Sequence, residues 1–210
     1  SFIKIIFFSL LILFFYFAFI NKNNPDISLR SLCFNIISIL SGTGYVTGEF
    51  DKWGNFSIIF FLILMFIGGC AGSTACGVKI FRVQILFSFI KIQLKKFIYP
   101  RGVFVIKYDN NLVDDKFMAS IISFIFLYIT IFFIIAGLLT LNDLDFITSI
   151  SAAATAISNV GPGLGDIIGP NGNFSLLPDF SKWVLSFGMI LGRLELFAIL
   201  VLFLPSFWRD

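Results

Sequence analysis

"FIGGCAGSTACGVK", Phe66 to Lys79, breaks an apolar run that begins near Phe56. Gly68, Gly69, Gly72 and Gly77 stand where a hydrophobic helix would continue, and each costs about 1 kcal/mol relative to alanine in a helix interior. Something other than helix stability accounts for them. The Gly72-x4-Gly77 spacing looks like the start of a phosphate-binding loop. That motif needs Gly-Lys-Ser/Thr, however, and here Val78 separates Gly77 from Lys79, with no strand ahead of it. A GxxxG packing face, Gly68-x3-Gly72, is the structural alternative.

The composition around this stretch is that of an integral membrane protein. Of 210 residues, 58% are hydrophobic, thirty are phenylalanine and 13% are charged, whereas a soluble domain is about 45–50% apolar. The mean hydropathy is +0.98. There is no histidine, and Cys33, Cys70 and Cys76 form no CxxC pair or metal-ligand cluster. Redox and metal-centre chemistry are not expected. An enzyme would show several charged groups within its spans, and apart from Lys4 at the start of the first only Arg193 and Glu195 qualify.

Segments of about 20 apolar residues cross a bilayer. Phe2–Ile20, Phe117–Leu141 and Trp183–Pro205 meet that length. Phe2–Ile20 exceeds a signal-peptide core and ends in "NKNNPD", so it reads as a span. The initial serine and abrupt start suggest a fragment of a longer protein. Val78–Phe97 mixes Lys79, Arg82, Lys91, Lys95 and Lys96 with apolar residues at helical spacing, which predicts an amphipathic helix near the membrane surface or emerging from it.

Two softer segments of half a span remain, Ile27–Leu40 and Leu144–Ile157. Asp143 and Asp145 mark the start of the second. Each runs into a glycine-rich turn, "SGTGYVTG" or "SNVGPGLG", whose glycines end the helix and free backbone carbonyls. Irregular backbone at membrane depth is tolerated only inside protein or beside a watery cavity. The chain thus repeats as span, re-entrant half-helix, turn, span. Ser41–Gly44 aligns with Ser158–Gly161 without a gap, and Lys52-Trp53 pairs with Lys182-Trp183. "MFIGG" (Met65–Gly69) answers "MILGR" (Met189–Arg193), although the distances from Trp to Met differ.

Charge gives the orientation. Between the units lie Lys79, Arg82, Lys91, Lys95, Lys96, Arg101, Lys107 and Lys116 against Asp109, Asp114 and Asp115. The opposite loops carry Asp26, Glu49, Asp51, Asp143, Asp145, Asp166 and Asp179 with Lys22, Arg30, Lys52 and Lys182. By the positive-inside rule the connector is cytoplasmic and both turns approach from outside. This is the plan of a cation filter, in which backbone carbonyls replace the ion's water. Two units cannot surround an ion fourfold, so two more belong to missing sequence or other chains.

"SGTGYVTGEFDKW", "FIGGCAGSTACGVKIFR", "ATAISNVGPGLG" and "LGRLELFAILVLFLPSFWR" resemble, in order, the C-terminal half of the TrkH-type potassium-uptake proteins of the Trk/Ktr/HKT superfamily. The resemblance implies an all-α polytopic fold of four linked units, of which this chain holds the third (1–98), a cytoplasmic connector (99–116) and the fourth (117–210). It carries the filter glycines onto Gly44 and Gly161, with backbone carbonyls of Thr43, Gly44, Tyr45, Asn159, Val160 and Gly161 meeting potassium. It makes 68–77 an intramembrane gate loop, with Gly68, Gly69, Gly72, Ser73, Thr74 and Gly77 forming it and Arg193 beside it. Ser73 and Thr74 are expected to offer hydroxyls to a hydrated path. Ala75-Cys76 departs from the family, where glycine is frequent. A charge ten residues into a span, such as Arg193, costs at least about 2.5–3.5 kcal/mol and marks a functional site. Glu195, two positions on, faces elsewhere.

The resemblance further implies potassium transport across the bacterial inner membrane, no enzyme activity and no cofactor. The partners it implies are a homodimer mate, a cytoplasmic nucleotide-binding regulatory subunit of the TrkA type and membrane lipid, without nucleic acid. The alternatives are a sodium-permeable transporter of the same superfamily and a non-transport membrane subunit.

Overall fold

Two helices among the described residues are long and apolar enough to cross a bilayer. The first, over Phe2–Phe19, is α1 (Phe2–Phe15) continued by a π-turn (Tyr16–Ile20), and the second is α5 (Asp115–Thr140). The structure, a computed structural model, describes residues 2–20, 28–70, 72–102, 104–108, 111–194 and 196–208. Lys22, Asp26, Asp109 and Glu195 of the charge reading lie outside the described residues.

Each of these long helices is followed by a short one of 13 residues, α2 (Leu29–Ser41) and α6 (Phe146–Ser158). Their starts are fixed by side-chain caps. Ser28 accepts from the Ser31 amide at 3.2 Å and Asp145 from that of Ile147 at 3.2 Å, satisfying donors a helix leaves open. Both end in a left-handed residue whose amide bonds back to the last turn, Gly42 in α2 and Asn159 in α6. The second half-helix is therefore stopped by an asparagine rather than by a glycine.

After each turn comes another helix, α3 (Asn55–Phe66) and α7 (Asp179–Arg193). In sequence, Asn55–Gly69 aligns with Asp179–Arg193 without a gap, pairing Phe56 with Phe180, the fully buried Ser57 with Ser181 and Met65 with Met189, although Gly68 lies in an extended segment and its counterpart Gly192 in a helix. This register corrects the pairing of Lys52-Trp53 with Lys182-Trp183. Trp53 lies ahead of α3 in a 3-10 turn (Phe50–Trp53), only 8% exposed against Phe17, Phe50 and Phe61. Trp183 lies in the first turns of α7 and is 77% exposed. Trp53 is a core residue and not an interfacial anchor.

The expected span Trp183–Pro205 is not one helix. α7 ends at Arg193 and α8 (Leu196–Leu202) leaves at 112°. After α3 the corresponding joint carries the glycine loop. It is bracketed by two short parallel strands, β1 (Ile67–Gly68) and β2 (Val78–Lys79), which pair Ile67 with Val78 and Gly68 with Lys79. Beyond it runs α4 (Ile80–Ile98), then an antiparallel pair, β3 (Lys107–Tyr108) and β4 (Asn111–Leu112). The chain is thus predominantly helical, and these two pairs qualify the all-helical expectation. The first also removes the GxxxG reading, since Gly68 is extended and Gly72 sits in a turn.

The core gathers around α6, whose residues Ser151 to Ser158 are all buried against α5 and α7. Serine, alanine and threonine on every face let neighbouring backbones approach, as in membrane helix packing. The hydroxyls are satisfied locally: Tyr128 on α5 meets Ser158 at 2.7 Å.

Candidate functional site

The half-helices hold the turns that follow them by side-chain hydrogen bonds. From α6, Thr155 Oγ1 accepts from the Gly161 amide at 2.9 Å, and Ser151 Oγ both accepts from the Leu164 amide and donates to the Leu164 carbonyl at 3.0 Å. From α2, Asn35 Oδ1 accepts from the Thr47 amide at 3.1 Å, and the Ser38 carbonyl accepts from the Thr43 amide at 3.1 Å. Thr47 and Leu164 occupy corresponding positions, three residues past Gly44 and Gly161. These amides bond inward to the half-helices. Among the described residues, none of the carbonyl oxygens of Thr43, Gly44, Tyr45, Asn159, Val160 or Gly161 accepts a hydrogen bond. These are six acceptors without donors on two adjacent turns.

The two turns touch. Gly44 has φ +73°, and a Cβ there would collide with the Val160 carbonyl oxygen. Gly161 has φ +114°, and a Cβ there would lie 3.7 Å from Gly44 Cα. Glycine at 44 is thus required twice, by its left-handed backbone and by the Val160 carbonyl of the neighbouring turn. Asn159 donates through Nδ2 to the Met189 carbonyl at 3.0 Å, tying the second turn to α7.

The glycine loop lies beneath the first turn, with Ala75 Cβ 3.9 Å from where a Cβ on Gly42 would sit. It returns so tightly that a Cβ on Gly68 would strike the Cys76 carbonyl, while Gly77 takes φ +82° to rejoin β1. Ser73 Oγ donates to the Cys70 carbonyl at 2.8 Å and closes a turn, which leaves its oxygen as an acceptor. Thr74 contributes its carbonyl. That oxygen accepts from Arg193 Nη1 at 2.7 Å, and Cys76 Sγ lies 3.7 Å from the same nitrogen. Arg193 is an exposed residue at the end of α7 and not in the middle of a straight span.

A cavity of about 260 Å³ opens below the loop, lined by Thr74, Cys76, Lys79, Arg82, Tyr128 and Arg193 among others. Arg82 rests on the Phe124 ring, its guanidinium carbon 3.8 Å from the centroid. Sequence reading put Lys79 and Arg82 in the connector; the fold brings them to the same cavity as Arg193. At the opposite end Glu49 accepts from Asn171 Nδ2 at 2.7 Å and pairs with Lys52 at 2.6 Å, clasping the loops after the two turns together.

Asn35, Ser151 and Thr155 were absent from the sequence expectations. The available signal was a polar residue inside an apolar half-helix, within reach of the turn it supports.

The model of one family, described as a TrkH cation transport protein, matches residues 1–209. The chain belongs to the TrkH family. The Trk system potassium uptake protein TrkI of Halomonas elongata is 45% identical over 186 residues, which is 87% of this chain and 37% of that protein. TrkH of Escherichia coli is 31% identical over 183 residues, again 87% of this chain and 37% of the other. The crystal structure of the potassium transporter TrkH from Vibrio parahaemolyticus superposes with a TM-score of 0.84 at 32% identity, covering 97% of this chain and 44% of that one. The chain therefore spans between a third and a half of the length of these relatives, and it is a membrane protein with the fold of that part of TrkH.

Proposed function

We propose that this TrkH-family chain forms half of a potassium-uptake pore in a bacterial inner membrane, supplying two of four span–pore–span units. Residues 1–98 make one unit, 117–210 the other, and 99–116 the cytoplasmic connector. The six unbonded carbonyls of Thr43–Tyr45 and Asn159–Gly161, on turns that meet at Gly44 and Gly161, are the observation that carries the reading. Amides held inward leave the carbonyls to stand in for an ion's hydration shell, and both half-helices aim their partially negative C-terminal ends at the same place.

The glycine loop is the gate in this reading. Its strands need only a few backbone bonds to close, and Arg193 latches it through the Thr74 carbonyl while placing a positive charge on the ion path. Potassium is the transported substrate and no cofactor takes part. The working assembly is a homodimer that carries a cytoplasmic nucleotide-binding subunit. The test is potassium and rubidium uptake by the full-length protein in cells lacking their own potassium uptake. Uptake that prefers these ions over sodium supports the reading. A protein that reaches the membrane and restores none overturns it.

A further inference from the structure

The basic stretch from Lys79 to Lys116 is not one surface. On α4, Phe81, Ile85 and Phe89 pack inward with Met118 and Ile121 of α5. Lys96 turns toward a recess it shares with Asp114 and Asp115. The opposite face is uncovered. Phe87, Ile90, Leu94 and Phe97 repeat at i, i+3, i+7 and i+10 and are 61%, 45%, 59% and 84% exposed, one continuous apolar stripe. Lys91 and Lys95, four residues apart, border that stripe along one side. Both are exposed and have no hydrogen-bond or ion-pair partner among the described residues. α4 contains no acidic residue. At its end Ile98 and, just beyond, Tyr99 stay exposed beside Arg101.

We infer that this face of α4 binds anionic phospholipid of the cytoplasmic leaflet, acyl chains along the stripe and headgroup phosphate on Lys91 and Lys95. The charges decide for lipid over a protein partner. A stripe with cations on one flank matches a surface that is apolar on one side and anionic on the other, with lysine stems reaching from one to the other. Juxtamembrane lysines gain most from an anionic leaflet. The site bears on the gate proposed above, because α4 begins where the glycine loop ends and the Ile80 amide donates to the Gly69 carbonyl at 3.3 Å. Lipid held on α4 fixes the helix from which the loop hangs.

The test places a tryptophan on the stripe, Leu94→Trp, in the full-length protein. It is reconstituted in vesicles of phosphatidylcholine with or without phosphatidylglycerol, either lipid carrying brominated chains. Brominated lipid should quench the added tryptophan, with phosphatidylglycerol preferred about tenfold. Lys91→Gln with Lys95→Gln should abolish that preference while phosphatidylcholine still quenches. No quenching means protein covers the face, whether a second copy, a regulatory subunit or the rest of the chain, and overturns the proposal. Equal binding of both lipids, or a preference surviving the double variant, also overturns it. Rubidium flux should depend on phosphatidylglycerol in the wild type and lose that dependence in the double variant. Flux indifferent to lipid charge refutes the link to the loop. A protein that carries no rubidium in any lipid refutes the transport reading instead, since quenching does not require transport.

Discussion

A serine side chain at position 44 would have to share space with the Val160 carbonyl and adopt φ +73°. That backbone costs a residue with a Cβ about 1–2 kcal/mol, so Gly44→Ser should reduce discrimination of potassium over sodium by about tenfold. Gly161→Ala meets only an ordinary contact with Gly44 but must adopt φ +114°, so it should act similarly; competitive rubidium uptake measures both. Unchanged selectivity in both would remove these turns from the filter. Glu49 makes a different kind of prediction. The hydrogen bond from Lys52, then that from Asn171, holds its carboxyl below the usual range. A lowered folded value means the clasp is fully present above the ordinary carboxylate pKa and is lost as pH falls through the lowered one. Amide exchange at 48–52 and 170–173, compared at a common intrinsic rate, should rise below that range. Asn171→Ala should raise it already at neutral pH, and no difference there would show that the clasp holds nothing.

Between elements, the pairing of β1 with β2 decides the loop's behaviour. Deleting Gly72 to Ala75 removes the Thr74 acceptor with the loop's tip and should raise single-channel open probability in reconstituted protein. Arg193→Ala should raise it less, because the loop remains. A well-folded deletion with wild-type open probability would end the gate proposal. Tyr128→Phe tests the joint of α5 with α6 and should cost about 1 kcal/mol of stability, read as a lower melting temperature in detergent. The short helices α2 and α6 were legible in the sequence because their signals are local: Asp145 caps the second and Gly42 ends the first. The strands around the loop were not, since Ile67 and Val78 pair across a turn-rich gap with no periodicity of their own. The break after Arg193 was hidden by apolar residues on both sides of it. The Lys-Trp repetition misled because two residues matched while the helix starts behind them did not. At the site, the glycines could be read one by one. The inward bonds of Asn35, Ser151 and Thr155 needed the fold, since a buried hydroxyl's partner is set by packing.

For the whole molecule, orientation rests on the stretch from Lys79 to Lys116, whose eight lysines and arginines outnumber its three carboxylates. Single cysteines at Ser88 and Arg101 in the full-length protein should react with a membrane-impermeant maleimide only in inside-out vesicles. Labelling from outside would invert the topology and place both turns on the cytoplasmic side. Many apolar side chains remain exposed, such as Phe7, Phe126, Phe133 and Trp183, as expected for a bilayer-embedded surface.

The shared register of α3 and α7 also bears on descent. Ten residues separate Gly69 from Ile80 in one unit, and two separate Arg193 from Leu196 in the other. A duplicated ancestor with a joint between two helices could lengthen that joint in one copy and acquire a cation in the other without disturbing any helix's phase. Regulation would then arise by insertion at a pre-existing break, leaving the packed parts unchanged. The same joint should accept inserts of varied length in laboratory recombination, where an insertion within α6 would abolish assembly.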